Sequence, residues 1–174
     1  NKIRYSIEGY KTPRPFSIKN YKICIDYDFG VVDGWINDLH NLIDSTFSIK
    51  GKNILELGPG ADLGVGLILL AKGARKYNAI DVNPLVYKVP KGFYDSLLDE
   101  ITKRIPDANI NDLKYQLQLF YEGKNDRLNY IYDKNFSISR LKSEMIDIVF
   151  SQAAFEHFDN IENALREVSE IMPD

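Results

Sequence analysis

The sequence predicts an α/β fold, a three-layer sandwich in which helices cover both faces of a mostly parallel sheet. The first observation behind this prediction is a strand–helix–strand unit of about thirty residues at 52–81. Such a unit implies two parallel strands joined by a right-handed crossover. The second observation is the near-continuous apolar run at 145–150, which is typical of a strand buried on both faces.

The remaining elements follow from hydrophobic periodicity along the chain. Residues 1–28 show no clean period and are expected to form an irregular lead-in with at most one short helix. Apolar residues then recur at helical spacing over 33–45, which predicts an amphipathic helix. Further helices are predicted at 62–72, 94–104, 111–121 and 160–171, and strands at 52–57, 77–81, 128–132 and 145–150.

Composition and charge narrow the class of protein. The 174 residues are 44 % hydrophobic and 27 % charged, which is typical of a globular, soluble chain. A net charge of −3, with Lys and Arg scattered, argues against nucleic-acid and membrane-surface partners. Cys24 is the only cysteine, so an intrachain disulfide or a multi-cysteine zinc site is excluded and a cytoplasmic location is expected. No apolar run is long enough to span a bilayer.

The most informative stretch connects the first strand of the unit to its helix. Residues 56–60, Glu-Leu-Gly-Pro-Gly, end the strand in a sharp turn. Glycines let the backbone approach a ligand closely because they have no Cβ. The turn also lies at the carboxyl end of a parallel strand, where open α/β sheets bind ligands. We therefore predict a ligand site at this turn.

Charges around the turn indicate which ligand suits it. A dinucleotide site would have Gly-x-Gly-x-x-Gly, but Leu63 takes the place of the third glycine and Gly64 falls one residue late. A pyrophosphate at the helix N-terminus would be repelled by Asp62, and Glu56 adds another negative charge nearby. S-adenosylmethionine has no phosphate and carries a sulfonium and an ammonium group, so acids beside the turn suit it.

Three blocks at strand ends occur in a fixed order: residues 56–60, Asp81 at the end of the next strand, and residues 147–158. The first resembles motif I, E/D-x-G-x-G, of the class I S-adenosylmethionine-dependent methyltransferases. Asp81 stands where that family has an acid, and the third block, Asp-Ile-Val-Phe-Ser-Gln-Ala-Ala-Phe-Glu-His-Phe, resembles the family's fourth-strand block. The resemblance covers roughly residues 35–172 and implies a Rossmann-like fold.

The resemblance implies an activity and a role for each block. The activity is transfer of a methyl group from S-adenosylmethionine to a small or medium-sized acceptor. Asp81 would hold the two ribose hydroxyls, the glycine turn the methionine end, and Asp133 is the nearest match to the acid that contacts adenine. The implied cofactor-binding residues are Glu56, Gly58, Pro59, Gly60, Asp81, Val82, Asp133, Ser151 and Gln152.

The resemblance also suggests how the chain is divided. Residues 1–50 would hold the lead-in and first helix, and residues 51–174 a partial S-adenosylmethionine-binding domain. The connection from the second to the third strand is roughly twice the family's usual length, so a helical insertion is expected at about 84–127, over the carboxyl edge of the sheet. The family continues into further strands where this chain stops. We therefore expect truncation before the fifth strand, which would leave the strand at 145–150 unpaired on one side.

His157 is the candidate catalytic residue, because an imidazole can accept a proton near neutral pH. The alternative is that it packs or orients its loop. Glu156 beside it resembles the metal-dependent members of the family, but those have a further Glu where this chain has Ala153. We therefore expect no metal ion. Ser151 and Gln152 could equally cap the strand that precedes them.

Two other functions stay open at this point. A nicotinamide-dinucleotide-dependent oxidoreductase would use the same turn, and a non-enzymatic protein could keep the fold without the site. Binding of a dinucleotide without any response to S-adenosylmethionine would favour the first. Failure to bind either compound would favour the second. The sequence does not reveal the methyl acceptor, the pathway or the oligomeric state.

Overall fold

The sheet is parallel throughout, as the strand–helix–strand unit predicts. The structure, a computed structural model, describes residues 21–152, 154–158 and 160–173. Within these residues the chain forms a four-stranded parallel sheet with helices on both faces. The predicted α/β sandwich of Rossmann-like type is therefore confirmed. The first twenty residues of the predicted lead-in lie outside the described residues.

Strand order places the first and fourth strands side by side, with the fourth at one edge of the described sheet. The order across the sheet is β3-β2-β1-β4, so the direction of winding reverses at β1. A crevice opens at such a reversal, at the carboxyl ends of the strands, and this is where open α/β sheets bind ligands. The strands are β1 Asn53–Leu57, β2 Lys76–Asp81, β3 Leu128–Tyr132 and β4 Ile148–Phe150.

Helices cover the two faces of the sheet unequally. The described α-helices are α1 Tyr21–Leu42, α2 Gly64–Ala71, α3 Lys91–Arg104, α4 Ile110–Tyr121 and α5 Ile161–Ile171. The first four bury their apolar side chains on one face, against Ile54, Tyr77 and Tyr130 among others. On the opposite face α5 and a 3₁₀ helix, Ile138–Leu141, pack on Leu55 and Leu57. None of the described helices is long and apolar enough to cross a membrane.

The first helix begins much earlier than its periodicity suggested. It starts at Tyr21, whereas the sequence predicted a start at residue 33 and an irregular segment before it. Ile25, Phe29 and Val32 extend the buried stripe towards the N-terminus. Gly30 and Gly34 interrupt the pattern in sequence but are tolerated, because α1 is held by packing on α2 and α3 rather than by propensity.

Strand β4 is shorter than predicted, with three residues in place of the six at 145–150. Met145 has a positive φ of 48° and is 67 % exposed, so it cannot continue the strand. Ile146 donates its N–H to Ile171 of α5 at 3.2 Å, and the Asp147 carboxylate accepts the N–H of Asn53 at 2.7 Å. Helix and side-chain partners thus replace part of the backbone ladder there, while the Asp147 N–H still donates to the carbonyl of Asn53 at 2.9 Å. In the described part of the chain, no other strand pairs with the outer side of β4.

The connection between β2 and β3 holds α3, α4 and a short 3₁₀ helix, Leu85–Lys88. The apolar side chains of Phe93, Tyr94, Leu97 and Leu98 in α3 are all buried. The two helices pack beside α2 on the face of the sheet, however, so the expected position over its carboxyl edge is not observed. The Tyr94 hydroxyl of α3 reaches the turn after β1, where it accepts the N–H of Leu63 at 3.1 Å.

Gly66 of α2 packs directly on the ring of Tyr77 in β2. A Cβ at position 66 would lie 2.5 Å from Cδ1 of Tyr77, closer than van der Waals contact allows. We expect Gly66→Ala to lower the free energy of unfolding by about 1–3 kcal/mol, the usual cost of overpacking a core. Urea-induced unfolding measures this change.

Gly34→Ala is the matched control, since nothing lies within 4 Å of a Cβ at that position in α1. Ala is favoured over Gly inside a helix by about 0.5–1 kcal/mol, so this variant should be slightly stabilised. Equal stabilities for the two variants would contradict the close contact between α2 and β2.

Candidate functional site

The turn after β1 is the centre of the candidate site. Gly58 and Gly60 have φ angles of +74° and +79°, which L side chains rarely adopt. Gly58 donates its N–H to the carbonyl of Ile80 in β2 at 2.9 Å. A Cβ at position 58 would lie 2.6 Å from that of Ala154, whereas a Cβ at position 60 would meet nothing within 4 Å. Gly58 therefore allows two strand ends to approach, and Gly60 exposes bare backbone to open space.

Asp81, at the end of β2, is buried and held by backbone groups. Its Oδ2 accepts the N–H of Gly60 at 3.2 Å, and its Oδ1 accepts the N–H of Asn83 at 2.7 Å. Burial raises the pKa of this carboxyl, and the backbone donors partly oppose the rise. Each carboxylate oxygen can accept a second hydrogen bond. The carboxylate is thus fixed in direction and still able to bind hydroxyl groups.

A cavity of about 460 Å³ opens beside this carboxylate, and we call it the Asp81 cavity. Val82 and Phe136 supply apolar surface, and His157 and Asn160 lie at its exposed side. Phe136 has a positive φ of 52°, and its ring packs on Phe158 with 4.7 Å between ring centroids. The cavity therefore combines a fixed carboxylate with aromatic and aliphatic walls.

A second cavity of about 410 Å³ lies on the other side of the same turn, and we call it the Asp28 cavity. Gly58, Gly60 and Gln152 line both cavities. The Asp28 cavity is walled on its far side by α1, through Tyr27 and Asp28. The two cavities together form a path across the glycine turn.

Three carboxyls, Asp28, Glu56 and Asp62, line the Asp28 cavity. Glu56 accepts a hydrogen bond from the Tyr77 hydroxyl at 2.5 Å, yet burial raises its pKa to about 7. Burial, with Asp62 and Glu56 nearby, raises the pKa of Asp28 to about 9, and burial raises that of Asp62 to about 6. None of the described residues that line this cavity is a Lys, Arg or His.

Carboxylates are also metal ligands, which bears on the acidic Asp28 cavity. Among residues 21–152, 154–158 and 160–173, no three His, Cys, Asp or Glu side chains are arranged to hold a metal ion. Ala153, which entered the sequence argument about metals, lies outside these ranges. The side chain of Glu156 is likewise outside what the structure describes. The carboxyls of Asp28, Glu56 and Asp62 are therefore the groups that determine the chemistry of this cavity.

The N-terminus of α2 has its first amides already engaged. The N–H of Leu63 is donated to the Tyr94 hydroxyl at 3.1 Å, and the N–H of Gly64 to Oδ1 of Asp62 at 2.8 Å. Pyrophosphate binding at a helix N-terminus uses such free amides and avoids negative charge. The geometry thus supports the argument from sequence that this turn disfavours a dinucleotide.

The two polar residues after β4 have different positions. Ser151 donates its hydroxyl to the carbonyl of Leu57 at 3.3 Å and lines neither cavity. Gln152 lines both cavities, and its Oε1 accepts the indole N–H of Trp35 at 3.3 Å. Trp35 in turn stacks on Phe150 with 4.1 Å between ring centroids. Ser151 therefore connects two strand ends, while Gln152 is oriented towards the site by α1.

Seven of the nine implied cofactor residues line one or both cavities, and Ser151 and Asp133 line neither. Asp133 lies outside them, because its carboxylate accepts the N–H of Asn135 at 2.8 Å and pairs with Arg140 at 3.1 Å. Residues 134–136, which directly follow it, line the Asp81 cavity instead. Gly58, Gly60, Asp81, Val82 and Gln152 line the Asp81 cavity, and Glu56 and Pro59 line the Asp28 cavity.

The sequence argument missed the contribution of α1. Asp28 and Trp35 lie on the buried stripe of this helix, where Ile25, Phe29 and Val32 are its apolar members. An acid on the apolar face of a helix was the available signal, because such a residue is rarely buried without a purpose. It was hidden because the segment before residue 33 was predicted to be irregular.

Comparisons with known proteins give the following matches. No protein family and no curated protein matches the sequence. A protein described as an S-adenosyl-L-methionine-dependent methyltransferase from Methanococcus maripaludis matches in structure with 15 % identity and a TM-score of 0.46, over 95 % of this chain and 63 % of that one. Precorrin 8w decarboxylase from Methanobacterium thermoautotrophicum matches with 15 % identity and a TM-score of 0.39, over 80 % and 57 % of the two chains.

A protein described as an RNA methyltransferase from Pyrococcus horikoshii matches with 18 % identity and a TM-score of 0.42, over 82 % of this chain and 56 % of that one. This chain thus spans less than two thirds of each of the three solved chains. Values this low assign no activity. The function of the site therefore has to be argued from its own geometry.

The acidic cluster should make stability depend on pH. A carboxyl whose pKa is higher in the folded state than in the unfolded state stabilises the fold fully at a pH below its unfolded pKa. That stabilisation is lost as pH rises through the folded-state pKa. For Glu56 that window runs from 4.5 to about 7. We expect the free energy of unfolding to fall from about pH 5 to about pH 8, with Glu56 alone accounting for up to roughly 3 kcal/mol.

Glu56→Gln should flatten this dependence, because the amide is neutral and can still accept from the Tyr77 hydroxyl. Glu122→Gln is the control, since Glu122 is an exposed residue paired with Lys124 at 2.7 Å. Denaturant-induced unfolding at about pH 5 and about pH 8 measures the free energy of unfolding of the parent chain and the two variants. If the stability of Glu56→Gln fell with pH as steeply as that of the parent chain, the Glu56 carboxyl would not be the source of the pH dependence.

Proposed function

We propose that this chain binds S-adenosylmethionine across the glycine turn and transfers its methyl group to a small or medium-sized acceptor. The observation that carries the proposal is the charge of the turn. Carboxyls of Glu56, Asp62 and Asp81 surround it, and the first amides of α2 are engaged. A positively charged cofactor without phosphate suits this surface, whereas a pyrophosphate would be repelled. This disfavours the nicotinamide-dependent alternative.

The residues around the Asp81 cavity fit the nucleoside part of such a cofactor. Asp81 is fixed by the N–H groups of Gly60 and Asn83 and keeps acceptor capacity for two vicinal hydroxyls. Val82 and Phe136 offer apolar surface of the kind that purine sites use. Asp81 ends β2 and Val82 follows it directly, whereas Phe136 lies in the loop after β3.

The glycine turn and the Asp28 cavity fit the amino-acid part. Bare backbone at Gly60 allows a close approach, and the neighbouring carboxyls suit positive charge. Bound there, the cofactor supplies a methyl group on a positively charged sulfur. The chain itself binds, orients and shields the reactants, and orientation alone can account for a large share of the acceleration of a displacement reaction.

His157 is proposed to orient its loop rather than to accept a proton. It is exposed at the side of the Asp81 cavity and donates its backbone N–H to the carbonyl of Ala154 at 2.9 Å. That bond belongs to the short 3₁₀ helix Phe155–His157, which shapes the wall of the cavity. If no residue accepts a proton, the acceptor has to present a nucleophile that is already deprotonated, such as a neutral amine or a thiolate.

Replacing Asp81 tests the proposed function. Asp81→Ala should weaken S-adenosylmethionine binding by roughly ten- to a hundredfold, because hydrogen bonds to a charged group contribute about 1.5–3 kcal/mol each. Asp81→Asn should be milder, since the amide keeps one acceptor oxygen. Asp33→Ala, which removes an exposed partner of Lys72 on α1, is the control and should bind normally. Calorimetric titration measures all four proteins, and equal affinities would remove Asp81 from the site.

The activity itself is tested by incubating the chain with a cell extract and isotopically labelled S-adenosylmethionine. Mass spectrometry should detect a labelled methyl group on a small molecule with the parent chain and much less with Asp81→Ala. Labelling at the same level with both proteins would contradict methyl transfer at this site.

A further inference from the structure

Asp28 is an acid buried in the middle of an apolar helix face. It is 4 % exposed, and its neighbours on that face are Ile25, Phe29 and Val32. Its Oδ2 is buried and has no hydrogen-bond partner. Burying a polar atom without a partner costs stability, so such an atom needs an explanation. The same side chain lines the Asp28 cavity, into which a ligand could bring the missing partner.

The structure makes room for this carboxyl at a specific place. Gly64, the first residue of α2, lies against it, and a Cβ at position 64 would be 2.8 Å from Cγ of Asp28. Any other residue at position 64 would push the carboxyl away from the turn. Asp62 closes the other side, with 3.0 Å from its Oδ1 to the same Cβ position. The two carboxyls therefore meet over the start of α2.

Every titratable group that faces Asp28 is acidic or neutral at pH 7. Cys24 lies one turn earlier on α1, and both Asp28 and Asp62 help to raise the pKa of its thiol. Glu56 approaches from β1, Asp62 from the turn and Tyr94 from α3. No described side chain supplies a positive charge to the cluster. Crowded carboxyls without a cation hold protons when no ligand is present, and a bound cation can replace those protons.

We propose that Asp28, together with Glu56 and Asp62, forms a subsite for an aliphatic ammonium group, so that α1 is part of the binding site. The amino group of the cofactor's methionine part and the amino group of an amine acceptor share this chemistry. For the first source the inference rests on the proposed function. Binding releases protons to the solvent, because the ligand arrives already charged and the carboxyls must ionise to pair with it.

Calorimetric titration of the parent chain and Asp28→Asn tests this inference. Three probes separate the possible sources: S-adenosylmethionine, methylthioadenosine, which lacks the amino-acid part, and ethylamine added in the presence of S-adenosylhomocysteine. If the cofactor supplies the ammonium group, Asp28→Asn should weaken S-adenosylmethionine binding about tenfold or more and leave methylthioadenosine unchanged. If an acceptor supplies it, cofactor affinity should be unchanged and ethylamine binding should be lost.

Repeating the titrations in buffers of different ionisation enthalpy counts the protons released. The parent chain should release about one proton at pH 7 with the ammonium probe, and Asp28→Asn should release fewer. Asp26→Asn is the matched control, because Asp26 lies on the exposed side of α1 and pairs with Lys22 at 3.1 Å. It should behave like the parent chain. Thermal unfolding verifies that each variant folds, and Asp62→Asn replaces Asp28→Asn if the latter does not.

Different results of these titrations would overturn the ammonium subsite and the proposed function. Equal affinities and equal proton release for the parent chain and the folded variant, with every probe, would overturn the ammonium subsite while cofactor binding stood. Ethylamine binding that depends on Asp28, with no binding of S-adenosylmethionine or methylthioadenosine by the parent chain, would overturn the proposed function and keep the subsite.

Discussion

Three carboxyls that lie close together at the end of β1 impose the constraint to which the rest of the site is adapted: those of Asp28 and Glu56 are buried, and that of Asp62 is half-buried. Glu56 lies inside the core, where the Tyr77 hydroxyl is its hydrogen-bond partner. Gly66 permits the Tyr77 ring to pass beneath α2, and Gly64 permits Asp28 to reach the turn. Because burial disfavours charge, a positive group that joined the cluster would favour its ionisation at neutral pH. The proposed preference for a cationic ligand would thus follow from the packing of helix on sheet.

Prediction from sequence worked where a local pattern determines the structure. Strand β3 has the predicted bounds, Leu128–Tyr132, because its apolar run ends at polar residues on both sides. Prediction from sequence failed where tertiary contacts determine the structure. Residues 145–147 look like strand, yet the carboxylate of Asp147 and the C-terminus of α5 take two of the hydrogen bonds that a ladder would use. The early start of α1 also depends on packing, since its glycines weaken the local signal.

The same division applies to the candidate site. Gly58 and Asp81 could be proposed from the sequence because a motif fixes both the residue type and its place at a strand end, and their binding roles stay predictions. Asp133 was chosen by position alone, and its pairing with Arg140 depends on a loop conformation that includes the positive φ of Phe136. Asp28 could not be assigned from sequence, because it is about thirty residues from the turn and reaches it only through the docking of α1 on α2.

We propose that this turn selects a positively charged cofactor without phosphate. A crystal structure of the chain grown with S-adenosylmethionine and NAD at equal concentration tests this selectivity, because both compounds compete for the same turn. We expect density for S-adenosylmethionine alone, with its ribose hydroxyls on Asp81 and its amino-acid part beside the carboxyl cluster. A pyrophosphate bound at the N-terminus of α2 would contradict it.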